Sequence, residues 1–307
     1  MQMLIRLALI LAAGFLSLPA FASGPNVVAA IKPVHALVAS VMQGVGEPHL
    51  LVEGNASPHT FSLKPSGAQA LENADLVFWI GPDLEVFLVD PLQTLAPNAN
   101  IVSLANARNV TTRPLREGGD FELHDHEEDS SGHRHNEIDM HIWLDPKNAL
   151  AMVDEIALAL GAADPDNAKI YAANAIQTSR AIDALVDEIT ALLAPVQDRP
   201  FIVFHDAYQY FETRFAVNAV GSITVSPETI PGVRRVEQIR ETVKNAGAAC
   251  VFAEPQFTPR LVAVVTEGTN ARAGVLDPMG AEIASGSELY FELLRNLAHS
   301  MKECLSH

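Results

Sequence analysis

The chain has 307 residues, a hydrophobic fraction of 49% and a formal net charge of −17 at neutral pH. Such a surface repels nucleic acid and anionic lipid and favours cations or a basic partner. The length suits two domains of ordinary size, with ample Ala, Val, Leu and Ile to bury their cores.

The N-terminus reads as a secretory signal: Arg6, an apolar run over residues 7–18, then Ala20-Phe21-Ala22 as the small-residue cleavage site. The run is short for a bilayer span and no Cys follows the cleavage site, so a soluble exported chain starting near Ser23 is expected. The cysteines are Cys250 and Cys304. In an exported chain two cysteines most simply pair, here tying a strand to the C-terminal tail.

From Val27 onward, short apolar runs alternate with helical patterns. Residues 27–31, 50–52, 76–80 and 101–103 read as strands, with helices from about Val34 and around residues 68–71. That alternation implies parallel strands with crossover helices. Residues 106–137 break the pattern as a long polar surface excursion. Asp145 and Pro146 form an N-cap and first-turn pair, and Leu150, Val153, Ile156, Ala157 and Leu160 carry that helix to a stop at Gly161. Asp164-Pro165 repeats the cap and opens one uninterrupted helix to Pro195, with the stripe Ile182, Leu185, Val186, Ile189, Leu192 and Leu193. Thirty residues of helix extend about 45 Å, enough for a stiff spine along a two-lobed molecule.

After Pro200, strands at residues 201–204, 217–222, 250–253 and 274–276 enclose a helix through Val236, Ile239 and Val243, and residues 288–304 close the chain as an amphipathic helix. The expected fold is α/β, with two lobes, each a mainly parallel sheet flanked by helices, joined by one long rigid helix. The expected division is a signal peptide at 1–22, an N-terminal lobe at 23–163 with a His/acidic loop at about 106–137, a linking helix at 164–195 and a C-terminal lobe at 196–307.

The chemistry is most concentrated between Asp120 and Pro146. His124, His126, His133 and His135 lie among Gly, Ser and acidic residues that cannot build a core, whereas His141 sits in the apolar Asp139-Met140-His141-Ile142-Trp143-Leu144. Between Asp120 and Asp139 eight Asp or Glu stand against Arg134. That field concentrates divalent cations, and neutral imidazoles suit zinc or copper better than calcium or magnesium. The plain alternative is an acidic linker with incidental histidines.

In an open parallel sheet, functional groups gather beyond the carboxyl ends of the strands. His59 follows the second strand, His141 follows the loop, and His205 and Asp277 directly follow strands of the second lobe. Two residues from each lobe suit a cleft between lobes. Three neutral imidazoles and one carboxylate satisfy tetrahedral zinc. His35 stands at a helix start, while His49, His299 and His307 read as surface residues. Glu254 is either a carboxylate orienting an imidazole or a helix cap.

The chain resembles the periplasmic solute-binding proteins of zinc-uptake ABC transporters, within the larger cluster that binds zinc or manganese. The resemblance rests on Pro58-His59-Thr60-Phe61-Ser62-Leu63-Lys64-Pro65-Ser66, Asn73-Ala74-Asp75-Leu76-Val77, Asp139-Met140-His141-Ile142-Trp143-Leu144-Asp145-Pro146, Phe204-His205-Asp206-Ala207-Tyr208, Phe252-Ala253-Glu254-Pro255-Gln256-Phe257 and Leu276-Asp277-Pro278. It implies metal in an interlobe cleft at His59, His141 and His205, with delivery by a monomer to a membrane permease served by a cytoplasmic ATPase. Manganese-binding relatives tend to carry Glu where this chain has His205. Some zinc-binding relatives carry Glu where this chain has Pro58, which leaves Asp277 or water as the fourth ligand. The rival readings are a manganese-binding homologue, an exported zinc hydrolase, for which no HExxH signature is present, and a metal buffer acting through the loop alone.

Overall fold

The computed structural model describes residues 24–116, 121, 138–224, 231–257 and 260–306. The expected signal peptide, His124, His126, His133, His135 and His307 lie outside the described residues.

The first lobe runs β1 (Val27–Ala29), α1 (Lys32–Met42), β2 (His49–Leu50), α2 (Pro65–Glu72), β3 (Leu76–Trp79), α3 (Val89–Leu95) and β4 (Asn100–Ser103). A two-stranded ribbon follows, β5 (Arg113–Pro114) with β6 (Ile138–Asp139), and then α4 (Pro146–Ala163). The long helix is α5 (Ala168–Leu193). The second lobe runs β7 (Phe201–His205), α6 (Gln209–Phe215), β8 (Ala219–Thr224), α7 (Val233–Asn245), β9 (Cys250–Ala253), α8 (Arg260–Thr266), β10 (Arg272–Val275) and α9 (Leu289–Leu305).

Both main sheets are parallel throughout. Their strand orders are β2-β1-β3-β4 and β10-β9-β7-β8. Read from β8, the second order is the first one again. Each lobe therefore has its switch point beside its first strand, where crossovers leave in opposite directions and open a crevice at the carboxyl ends.

Local chemistry explains the element ends. Asp145 caps α4 by accepting the Lys147 backbone N–H at 2.9 Å, with Pro146 in the first turn. That helix continues past Gly161 to Ala163. The second expected cap is corrected: Asp164 accepts from Asn167 Nδ2 and the Tyr171 hydroxyl, both at 2.8 Å, and α5 starts at Ala168. The helix is 26 residues long, about 39 Å at the usual rise. It buries Tyr171, Ala175, Thr178, Ile182, Leu185, Ile189 and Leu193, and packs on α4 and α1 of the first lobe and α9 of the second.

The polar excursion begins later than expected. Asn148, buried on α4, accepts from Thr111 N at 2.8 Å and donates to Thr111 O at 3.0 Å, so the chain is docked up to that point. Arg113 pairs with Asp139 and Pro114 with Ile138, which closes the base of the segment between them. Two-residue strands this far apart in sequence carry no periodicity that could announce them.

Strand alternation sorts the second sheet into two faces. Ile202, Phe204, Val251 and Ala253 join a core with α7 and α8, while Phe201, Val203, Cys250 and Phe252 join the large core that continues into the first lobe. The disulfide Cys250–Cys304 bonds β9 to α9 across this second face. Gly274 lies beneath it: a Cβ there would stand 2.6 Å from the Phe252 ring.

The disulfide closes a sequence separation of 54 residues, for which the chain-entropy relation gives about 4 kcal/mol. Replacing both cysteines by Ala should lower unfolding stability by that order, measured by urea denaturation, and unreduced protein should show no titratable thiol. Equal stability of the two forms would show that the link contributes nothing.

Candidate metal centre

His205 is the last residue of β7 and is buried. In the β7–β9 pairing Phe201 faces Cys250 and Ile202 faces Val251. Continuing that offset brings His205 beside Glu254, with both on the face turned to the first lobe. The Glu254 Oε1 atom accepts from His205 Nδ1 at 2.6 Å and from the His205 backbone N–H at 3.3 Å.

The other lobe repeats the device. One oxygen of Asp139, at the end of β6, accepts from His141 Nδ1 at 2.8 Å and from the His141 backbone N–H at 3.0 Å. Asp139 is held in turn through its carbonyl, which accepts from the Tyr210 hydroxyl of α6 at 2.6 Å. The Tyr210 oxygen also accepts from Arg113 N at 2.8 Å. His59 comes from the loop between β2 and α2, with its backbone N–H donating to Ser57 Oγ at 3.3 Å.

The three imidazoles converge through Nε2. His59 and His141 approach to 3.4 Å, and His141 and His205 to 3.2 Å. One ligand atom from each of the three lies within 4.8 Å of the others. Because a carboxylate takes the Nδ1 proton of His141 and of His205, their neutral tautomers present bare Nε2 lone pairs. Lone pairs facing each other at this distance repel unless a cation or proton stands between them. A tetrahedral zinc ion with bonds of about 2.0–2.1 Å has nitrogen ligands about 3.3–3.4 Å apart, which matches.

Electrostatics divides the histidines. Burial, followed by the neighbouring His141 and His205, holds the His59 pKa well below its ordinary value. Burial alone would lower His205 as well, but the charge and hydrogen bond of Glu254, with Asp206 and Asp139 behind, raise it. A cavity of about 10 Å³ lies beside the three rings and is lined also by Glu254, Gln256 and Phe257.

The structure thus brings His59, His141 and His205 together. Asp277, expected as a fourth ligand, is not in the set. Its Oδ1 accepts from Gln256 Nε2, Met279 N and Gly280 N, each at 3.0 Å, and its Oδ2 accepts from Ala281 N at 2.5 Å. Four donors already satisfy that carboxylate within the turn after β10. His35 lies apart on α1, its Nε2 3.1 Å from the Pro48 carbonyl, and His49 and His299 are exposed. Sequence reasoning left Glu254 open and missed the role of Asp139. The signal for Asp139 was its place two residues before His141.

The site joins two lobes that are bonded around it. Trp143 Nε1 donates to Pro278 O and the Tyr290 hydroxyl to Trp143 O, both at 2.8 Å. Arg214 binds Asp145 at 2.7 and 2.8 Å. Arg116, missed in the sequence, bridges the buried carboxylates of Asp206 and Glu212, and its guanidinium lies 4.0 Å from the centre of the Phe121 ring.

The family described as zinc-uptake complex component A, periplasmic (ZnuA), matches residues 27–304. The chain is similar to the high-affinity zinc uptake system protein ZnuA of Brucella suis, 48% identical with 96% of each chain covered. It is 36% identical to the protein of the same name from Yersinia pestis, with 98% of each covered. A crystal structure of ZnuA superposes with a TM-score of 0.79 at 25% identity, covering 92% of this chain and 99% of the other.

Substituting Asp139 or Glu254 by Ala frees the ring it orients. Each change should weaken zinc binding about 10- to 100-fold in competition with a chromophoric chelator. Wild-type affinity in a folded variant would show that the carboxylate does not orient its imidazole for the metal.

Proposed function

Because the chain belongs to the periplasmic zinc-uptake component family, we propose that it captures Zn2+ between its two lobes and delivers it to the permease of a zinc ABC importer. Zinc is its cargo, and the importer's cytoplasmic ATPase drives the transfer. The family is a transport component and not an enzyme. Among the described residues no helix is long and apolar enough to cross a membrane.

One observation carries the assignment of the site: three Nε2 atoms converge at 3.2 and 3.4 Å while carboxylates occupy Nδ1 on two of the rings. We assign His59, His141 and His205 as the zinc ligands, with Asp139 and Glu254 as their orienting partners. Imidazole nitrogen favours zinc over manganese, which prefers oxygen donors. His59 and His141 come from one side of the cleft and His205 from the other. A permease that parts the lobes would remove one of three ligands and so loosen its cargo.

The lobe boundaries proposed are residues 23–163 and 196–307, with 164–195 between them, in a protein acting as a monomer. His124, His126, His133 and His135, set among Gly, Ser and acidic residues that cannot build a core, are assigned as weaker auxiliary sites, since ordering side chains around an ion costs conformational entropy.

Zinc titration tests these assignments together. His59→Ala, His141→Ala and His205→Ala should each reduce the tight site's affinity by orders of magnitude. Deleting residues 124–135 should remove the weak equivalents and leave one tight equivalent. Loss of the tight equivalent on that deletion, with the fold intact, would move the primary ligands into the loop.

Protons compete for the same lone pairs, because a ligand imidazole must be neutral. The His205 pKa is raised, so this competition should begin above the ordinary value of about 6.5. Zinc affinity should be greatest in mild alkali and fall as pH drops through neutrality. An affinity unchanged between pH 5 and pH 8 would contradict a histidine centre.

A further inference from the structure

Gln256 stands two residues beyond Glu254 and lines the cavity beside the three imidazoles. Its Nε2 donates to Asp277 Oδ1 at 3.0 Å. A carboxylate can only accept from an amide, so the NH2 end faces Asp277 and the amide is oriented by chemistry. The other end, Oε1, is buried and has no hydrogen-bond partner among the described residues. A buried acceptor left in that condition is costly, so an amide fixed this way needs a donor from the cavity.

Asp277 cannot turn to relieve it. The backbone N–H groups of Met279, Gly280 and Ala281 hold both carboxylate oxygens. The 277–281 turn therefore fixes the amide of Gln256, a residue that lines the cavity beside the three imidazoles. Three imidazoles fill three positions of a tetrahedral ion and leave one for a small ligand. A water in that position becomes a stronger proton donor on the metal, and in so small a cavity it needs a protein acceptor.

We propose that Gln256 is a positioning and specificity-determining residue of this centre: its amide oxygen, oriented by Asp277, accepts a hydrogen bond from the water that completes the coordination of the bound ion. The proposal rests on the three-histidine reading above. It gives Asp277 a role through Gln256 and not as a ligand. A neutral acceptor at this place adds no charge and holds one water, which suits a four-coordinate ion. An ion that demands six oxygen ligands finds neither the donors nor the space.

The test compares Gln256→Leu with Gln256→Ala by zinc competition, with thermal unfolding of the metal-free proteins to confirm that both are folded. Leu keeps the volume and removes the acceptor. It should retain one zinc equivalent, lose about 10- to 100-fold in affinity, and alter the visible spectrum of the cobalt(II)-loaded protein. Ala leaves room for a second water where the amide oxygen was, and should lose less than Leu. A role in packing alone predicts the opposite order, with Leu near wild type and Ala weaker. That order, or wild-type affinity and an unchanged cobalt spectrum in Gln256→Leu, overturns the proposal. If the histidine variants also keep wild-type affinity the centre itself falls, whereas weakened histidine variants beside an unaffected Gln256→Leu remove Gln256 alone.

Discussion

Imidazole lone pairs pointed at one another are the constraint on which the arrangement of this protein depends. Left free, His141 and His205 would rotate so that their Nε2 atoms reached water, since facing lone pairs at 3.2 Å gain nothing from each other. They are prevented by carboxylates that grip each residue twice, at the ring Nδ1 and at the backbone N–H. The protein therefore carries the unfavourable arrangement in its folded state, and a divalent cation would relieve it. This is preorganisation: part of the cost of assembling a binding site is met by folding.

Such a site is only as rigid as the interface it straddles. Two sheets of the same strand order face each other with their crevices together, and α5 packs along helices of both. Around the centre, the interlobe bonds are directional and partly buried, including Trp143 to Pro278, Tyr210 to Asp139 and Lys32 Nζ to the carbonyls of Ala281 and Ile283. Arg116 neutralises Asp206 and Glu212, two buried acids that would otherwise repel one another beside His205. The lobes meet in a specific register, and His205 reaches the pair from the other side only in that register.

Charge acts at two ranges. The net charge of −17 attracts cations of any kind to the surface. Selection among them belongs to the centre, where the converging donors are nitrogen and the nearby carboxylates are turned to other tasks. Asp139 and Glu254 orient rings, Asp277 is consumed by its own turn, and Asp206 pairs with Arg116. Had one of these carboxylates joined the converging Nε2 atoms, the site would have been harder and more accommodating to manganese.

Much of this was legible in the amino-acid sequence because it depends on local periodicity. Short apolar runs between helical patterns announced two parallel sheets, Asp145-Pro146 announced α4, and histidines placed after strands pointed to the three rings that the fold brings together. The order of residues also carried the family resemblance and with it the cargo. What tertiary structure alone decided is pairing between distant segments. His205 meets Glu254 because β7 and β9 align at an offset of 49 residues, which neither strand encodes by itself. Asp277 looked like a ligand from its position after β10, yet three backbone N–H groups and Gln256 claimed it. A residue type states what an atom can bind; competition among all the donors that folding brings within reach determines what it does bind.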